Sequence, residues 1–330
     1  MNSFKKLTAG LVAAGVAGAL LTGTVVAPAH AANKKIAFVM GAESDPFFQA
    51  MKVGAEAAAK ANNVDLIWQG DASEYSPATQ IPVVDAVLAQ KPDALVLIPT
   101  DPTALQPSVA KAKALGIPVI NVDTHVGDLT DVLSFITGDN ADGGAKAADA
   151  MATAIGWKKG GKYEVVVGLT SATATTNVAR LDGFSKRILR NYPGIKIVDK
   201  AYSQSQPAKA NTNVSNWLTK YPKLSGIFAI DGTNAAGAAA ALQAKGLTGK
   251  VALIGYDAYK ANVDLIAKGV FTALIAQDPA AEAKLAIEYA VKYLAKKSKS
   301  GIKKNVVIPN VVLTAKTSAA DIAKYTYVQK

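Results

Sequence analysis

Residues able to do polar chemistry recur at one kind of place in this chain, directly behind short apolar runs. Gly41-Ala42-Glu43-Ser44-Asp45-Pro46-Phe47-Phe48 follows the run at 36–40. Asp123, Thr124 and His125 follow 117–122, Asp231 follows 226–230, Tyr256 and Asp257 follow 251–255, and Gln277 closes 270–276. Carboxylates accept hydrogen bonds and an amide does both, so these groups form a polar ring suited to a partner rich in hydroxyls. Bonds to charged Asp are the stronger ones. For any single Asp the alternative role is a helix N-cap. Phe47 and Phe48 are neighbours in a first helical turn and do not share a face. One ring is expected inward and the other beside the ligand space, able to stack on the C–H face of a sugar ring; the alternative puts both in the core. Arg180 opens Arg180-Leu181-Asp182-Gly183-Phe184. Its guanidinium can pair with ring oxygens or with an Asp; the alternative is a surface residue.

The elements that would hold these residues alternate along the chain. Strands are expected at 36–40, 64–68, 94–99, 117–122, 133–137, 163–167, 195–200, 226–230, 251–255, 270–276 and 305–313. Helices are expected at 46–62, 77–90, 103–115, 143–155, 179–191, 209–220, 234–245, 259–268 and 279–297. Continuous apolar strands alternating with helices predict α/β architecture, with parallel sheets covered on both faces. Such sheets bind ligands at the carboxyl ends of their strands, where the polar residues fall. The βαβ rhythm occurs twice, which suggests a duplication of domain size.

The chain has 330 residues, more than one core usually serves, so two domains are expected. Lys5 and Lys6, the uncharged stretch 7–26 and Ala29-His30-Ala31 make the three-part layout of a secretory signal, with cleavage expected after Ala31. The alternative is an uncleaved membrane anchor. There is no cysteine, which excludes disulfides, thiol chemistry, thiolate metal sites and a lipoprotein anchor. A periplasm is the simplest compartment, and secretion the other. The formal charge is +11, or +9 without Lys5 and Lys6, with the lysines scattered over predicted helix faces and clustered only at Lys296, Lys297, Lys299, Lys303 and Lys304. That pattern reads as a solvated surface rather than a patch for nucleic acid.

Several chemistries lack their motifs. Only His125 remains after the expected cleavage, and no G-x-S-x-G elbow, calcium loop, phosphate loop or G-x-G-x-x-G follows a strand. No catalytic residue, metal ligand or cofactor is assigned. Asp123 and Asp257 facing one cleft leave an exported carbohydrate hydrolase as the rival from another class.

Six motifs in order carry a family likeness: Asp45-Pro46-Phe47-Phe48, Ile117-Pro118-Val119-Ile120-Asn121-Val122-Asp123, Gly138-Asp139-Asn140 with Gly143-Gly144, Arg180-x-x-Gly183-Phe184, Ile254-Gly255-Tyr256-Asp257, and Ile275-Ala276-Gln277-Asp278-Pro279. Over nearly the whole chain after residue 31 the sequence resembles the ribose/galactose-type periplasmic binding proteins, relatives of the ligand cores of LacI-type repressors. The resemblance implies two doubly wound parallel-sheet lobes of the periplasmic binding protein type I fold. Three crossovers near Gly138, Gln277 and Pro309 would form the hinge. With the signal segment read at 1–31 set apart, one lobe is expected of 32–138 plus 278–309, and a second of 139–277 plus 310–330. Asp45, Phe47, Phe48, Asp123 and Thr124 would line the cleft from the first lobe; Arg180, Asp231, Asp257 and Gln277 would line it from the second lobe and hinge. The implied function is capture of a monosaccharide or polyol for an ABC importer, by a monomer docking on a membrane permease. A sensor for a sugar or an autoinducer-2-like ligand, presented to a receptor, is the alternative. Ribose binders usually carry Arg where Thr124 stands and Asn-Asp where Asp231-Gly232 stands, and an aromatic is replaced near Ser205, so the ligand is not simply ribose. The signal-like N-terminus occupies the place of a repressor's DNA-binding segment and disfavours that branch.

Overall fold

The computed structural model describes residues 33–328; the expected signal segment and its cleavage point lie outside the described residues. In chain order the elements are β1 (Lys34–Ala42), α1 (Pro46–Ala61), β2 (Val64–Asp71), α2 (Pro77–Ala89), β3 (Ala94–Leu97), α3 (Gln106–Ala114), β4 (Val119–Val122) and β5 (Val132–Gly138). Then follow α4 (Asn140–Ala154), β6 (Tyr163–Leu169), α5 (Thr175–Asn191), β7 (Ile195–Tyr202), α6 (Pro207–Lys220), β8 (Leu224–Ala229), α7 (Gly232–Ala244), β9 (Ala252–Tyr256), α8 (Lys260–Asp264) and β10 (Ala273–Ala276). The chain ends with α9 (Pro279–Lys296), β11 (Asn305–Ile308), β12 (Val311–Leu313) and α10 (Ala319–Tyr325).

The strands form two sheets of six, ordered β11-β5-β4-β3-β1-β2 and β12-β10-β9-β8-β6-β7. Each half therefore places its strands in the same doubly wound order. The order reverses beside β1 in one sheet and beside β6 in the other, and a crevice opens at such switch points. The central strands are apolar because helices cover both faces: Ile36, Ala37, Phe38, Val39 and Met40 have no exposed surface.

The chain passes between the sheets three times: between β5 and α4, between β10 and α9, and between β11 and β12. Two helices are exchanged in the process. α9 follows the second sheet but packs on α1, while α4 follows the first sheet but packs on α5. Glycines permit both contacts: a Cβ on Gly54 of α1 would stand 2.0 Å from the Ala280 carbonyl oxygen, and one on Gly183 of α5 would stand 2.0 Å from that of Ala141.

The expected elements are present with revised limits. The single strand expected at 305–313 is two strands in different sheets. Pro309 lacks the N–H that a continuing ladder needs, and the chain changes sheet at Pro309-Asn310. β12 runs antiparallel to β10, so the second sheet is not wholly parallel. Several helices begin before their apolar periodicity does. α4 starts at Asn140, where the Asp139 carboxylate accepts from the Asp142 N–H at 3.1 Å, and α5 starts at Thr175. The helix expected at 103–115 begins only at Gln106, the one expected at 259–268 is the short α8, and α10 had no sequence expectation.

Candidate functional site: a carboxylate-rich cavity between the two sheets

The strand ends of both sheets face one cavity. Eight of the nine expected site residues line it: Asp45, Phe47, Phe48, Asp123, Arg180, Asp231, Asp257 and Gln277. Thr124 does not. Its hydroxyl donates to the Pro99 carbonyl at 2.7 Å, and it is buried behind the wall. The cause is local: Asp123 has φ 58°, so the chain turns there and its neighbour faces away.

Asp45 is the N-cap of α1, accepting from the Phe47 N–H at 3.0 Å, with Pro46 in the first helical position. It also bridges to the other half, accepting from the Thr233 hydroxyl at 3.2 Å and from the Tyr259 hydroxyl. The His125 N–H donates to the Thr175 hydroxyl at 3.2 Å, a second contact across the cleft. The lobes are thus closed on one another. Phe47 and Phe48 meet edge to face with centroids 5.4 Å apart, and both border the cavity while remaining largely buried. The division of labour expected for the two rings is therefore replaced by a shared role.

In the second half, Asp231 caps α7, accepting from the Asn234 N–H at 2.8 Å and from the Thr170 hydroxyl at 2.7 Å. Asp257 accepts from the Gly232 N–H at 2.9 Å, the Gln277 amide at 2.7 Å and the Tyr327 hydroxyl at 3.0 Å. Two carboxylates therefore stand at the positive N-terminus of α7. Arg180 is buried and not on the surface. Its Nε donates to Asn140 at 2.7 Å and its Nη1 to the Ile230 carbonyl at 2.9 Å, while its guanidinium lies 3.8 Å from the Tyr256 ring centroid.

Burial dominates the electrostatics. It pushes Asp123 up to about 7, against the pull of Arg180, with Asp257 and Asp45 adding to the rise. It pushes Asp45 up to about 6, opposed by its bonds from Tyr259 and Phe47. Asp231 is raised by the same cause. Burial works against the Arg180 charge, but the groups around it, Tyr256, Asp257 and Asp123 first, hold the guanidinium protonated above its ordinary value.

Tyr75, Thr170, Thr176, Asn177 and Tyr259 also line the cavity, as does Ser205, where the sequence suggested a missing aromatic. Tyr75 comes from the loop between β2 and α2 and reaches the cavity past Gly41, whose Cβ would stand 2.6 Å from the ring. Thr176 and Asn177 lie one turn before Arg180 on α5, so the earlier helix start would have revealed them. Among the described residues, no three acidic, histidine or cysteine side chains converge as metal ligands. A wider apolar groove beside α8 and α10, lined by Val263, Ile322 and Tyr327, lacks such convergent polar groups.

A model of the periplasmic binding protein domain matches residues 36–298. The chain is 30% identical to the D-ribose/D-allose-binding protein of Pseudomonas aeruginosa, over 83% of this chain and 86% of that one. It is 29% identical to the xylitol-binding protein of Mycolicibacterium smegmatis, over 82% and 75%. Among solved structures it resembles an ABC transporter solute-binding protein from Agrobacterium vitis bound with α-D-tagatopyranose. That pair has a TM-score of 0.84 and 31% identity, covering 90% of this chain and all of the other. The chain belongs to the periplasmic binding protein family, with the sugar-binding proteins of ABC transporters. As such it is a binding protein and not an enzyme.

Proposed function

We propose that this protein is the substrate-binding subunit of an ABC importer and captures a monosaccharide or polyol by closing its lobes. The observation that carries the reading is the cavity wall itself. Asp45 and Asp123 face Arg180, Asp231 and Asp257 across the cleft, with the aromatic residues Phe47, Phe48, Tyr75 and Tyr259 completing the wall. Polar groups from two sides satisfy the hydroxyls of a ligand only when the lobes meet, so such a ligand stabilises the closed form. In this reading residues 32–138 with 278–309 move against 139–277 with 310–330 about the three crossovers. The closed monomer then docks on a membrane permease after export and removal of residues 1–31. The fold supports the motion through its three narrow connections, and among the described residues no helix is long and apolar enough to cross a membrane.

A thermal-shift screen against pentoses, hexoses, polyols and short glycosides tests it. The expected result is a rise in melting temperature that grows with the logarithm of ligand concentration, without turnover. Hydrolysis of a glycoside, or no shift with any member of the library, overturns it.

A further inference from the structure

The charge of the cavity wall points beyond a neutral sugar. Four carboxylates line it, from Asp45, Asp123, Asp231 and Asp257, against the single guanidinium of Arg180. With all of them ionised, the wall carries three uncompensated negative charges. The chain as a whole is formally +11, so this is a local inversion of the protein's own field.

Three of the carboxylates are already supplied with neutral donors. Asp45 takes Phe47, Thr233 and Tyr259; Asp231 takes Thr170 and both nitrogens of Asn234; Asp257 takes Gly232, Gln277 and Tyr327. Such donors fill lone pairs without cancelling charge. Arg180 gives Nε to Asn140 and Nη1 to the Ile230 carbonyl and lies on the face of Tyr256, which leaves donors over for the cavity but none bonded to Asp123. The fourth carboxylate differs. Asp123 is 7% exposed, and its Oδ1 is buried with no hydrogen-bond partner. A buried acceptor left without a donor is costly, and Arg180, which makes no hydrogen bond to Asp123, is one positive charge shared among four carboxylates. A hydroxyl would repair the first defect only. An ammonium repairs both, donating up to three hydrogen bonds and adding one positive charge. A shared divalent ion fits less well, since the carboxylates surround the cavity and do not converge on one point.

We propose that the cavity takes a polyhydroxylated amine, an amino sugar or amino polyol, with its ammonium against Asp123. This rests on the reading of the protein as a sugar- or polyol-binding subunit and narrows its ligand class. The remaining carboxylates, Arg180 and Gln277 serve the hydroxyls, and the aromatic rings take the C–H faces.

Matched ligands that differ at one substituent test it by calorimetry. Suitable sets are glucose, glucosamine and N-acetylglucosamine; the galactose counterparts; and xylitol with 1-amino-1-deoxyxylitol. In at least one set the amine is expected to bind tenfold or more tighter than both its hydroxyl and its acetylated counterpart. Asp123→Asn is expected to remove that preference, leaving the hydroxyl counterpart's affinity changed by much less. Equal or tighter binding of the neutral member in every set overturns the amine proposal alone and leaves the sugar-binding reading standing. An amine preference that survives in Asp123→Asn overturns the placement against Asp123. Binding by no member of any set overturns the proposal, and the library screen above then decides the functional reading separately.

Discussion

Asp123 and Asp257 occupy the same position in the two halves of the molecule. Each follows the fourth strand of its half, each has a positive φ, 58° and 66°, and each donates its N–H to the next strand, to the Ile136 and Ile275 carbonyls at 2.8 Å. A left-handed turn at a strand end is unusual for a residue with a side chain and is tolerated best by Asp, Asn and Gly. Here it turns a carboxylate from each sheet toward the common cavity. What differs is the surroundings: Asp257 is fully supplied with donors, and Asp123 is not.

That difference sets the first prediction. Asp123→Ala and Arg180→Ala should each weaken ligand binding by about 2–4 kcal/mol, the scale of a buried charge-assisted contact. Titration calorimetry with the ligand found in the library screen reads it. Unchanged affinity in both variants would show that the ligand sits elsewhere.

Stability of the protein with its lobes closed should fall as pH rises from about 4 to about 7. Asp45 and Asp123 are pushed up to about 6 and about 7, from an ordinary value of 3.8. Between those limits the folded chain holds more protons than the unfolded one, so raising the pH favours unfolding. Their unfavourable contribution is absent below the ordinary value and complete above about 7. Denaturant unfolding across this range should show the slope, and Asp45→Asn with Asp123→Asn should flatten it. A slope of opposite sign that disappears in the double variant contradicts the assignment.

Glu282 offers a different test, at the hinge. It is completely buried, and burial, with Asp123 adding, holds its carboxyl well above the usual range. Both its oxygens lack partners, as do Gln277 Oε1 and Asn310 Oδ1. The amide nitrogens of the latter two are held by the Asp257 carboxylate and the Asp139 carbonyl, so their oxygens cannot be exchanged for donors without loss. All three side chains crowd Gly138, where a Cβ would meet Gln277 Oε1 at 2.8 Å and Asn310 Oδ1 at 3.0 Å. Glu282→Gln keeps the shape, removes the ionisation and brings two N–H donors. It should stabilise the protein by about 1–3 kcal/mol at pH 7. A lower melting temperature at pH 7 would show that the carboxyl itself makes contacts at the hinge that an amide does not replace.

The exchanged helices yield a paired prediction. Gly54→Ala and Gly183→Ala each force a methyl to within 2.0 Å of a carbonyl oxygen on the facing helix. Backbone cannot retreat as a flexible side chain can, so each should cost about 1–3 kcal/mol or more. Thermal unfolding of the two variants should show similar losses, since the two contacts are counterparts. Wild-type stability in either would mean that the helices can part.

The strand ends were legible because parallel sheets place polar residues only where a strand stops, and eight of nine expected positions do line the cavity. Thr124 lies behind the wall because strand logic does not carry one residue past the left-handed turn at Asp123. Tyr75 and Tyr259 were not legible. Each sits in or beside a connecting segment, and no periodicity says where such a ring points. Thr176 and Asn177 were hidden by reading the start of α5 from its apolar face, when its first turn is polar and faces the site. The break at Pro309-Asn310 was foreshadowed by the family likeness, although the run of β-branched residues around it read as one strand.

The placement of β11 governs the order in which the molecule can be made. The first sheet opens with Lys34 and receives its last strand only at Asn305–Ile308, after the entire second set of βα units has been synthesised. Neither sheet is built from one continuous stretch of chain, so truncation anywhere before Asn305 leaves both unfinished. The contacts that complete the first lobe join residues far apart in sequence, which makes folding slow and late. A nascent chain of this design cannot complete its first sheet until Asn305–Ile308 has emerged, although the five other strands of that sheet are made by Gly138.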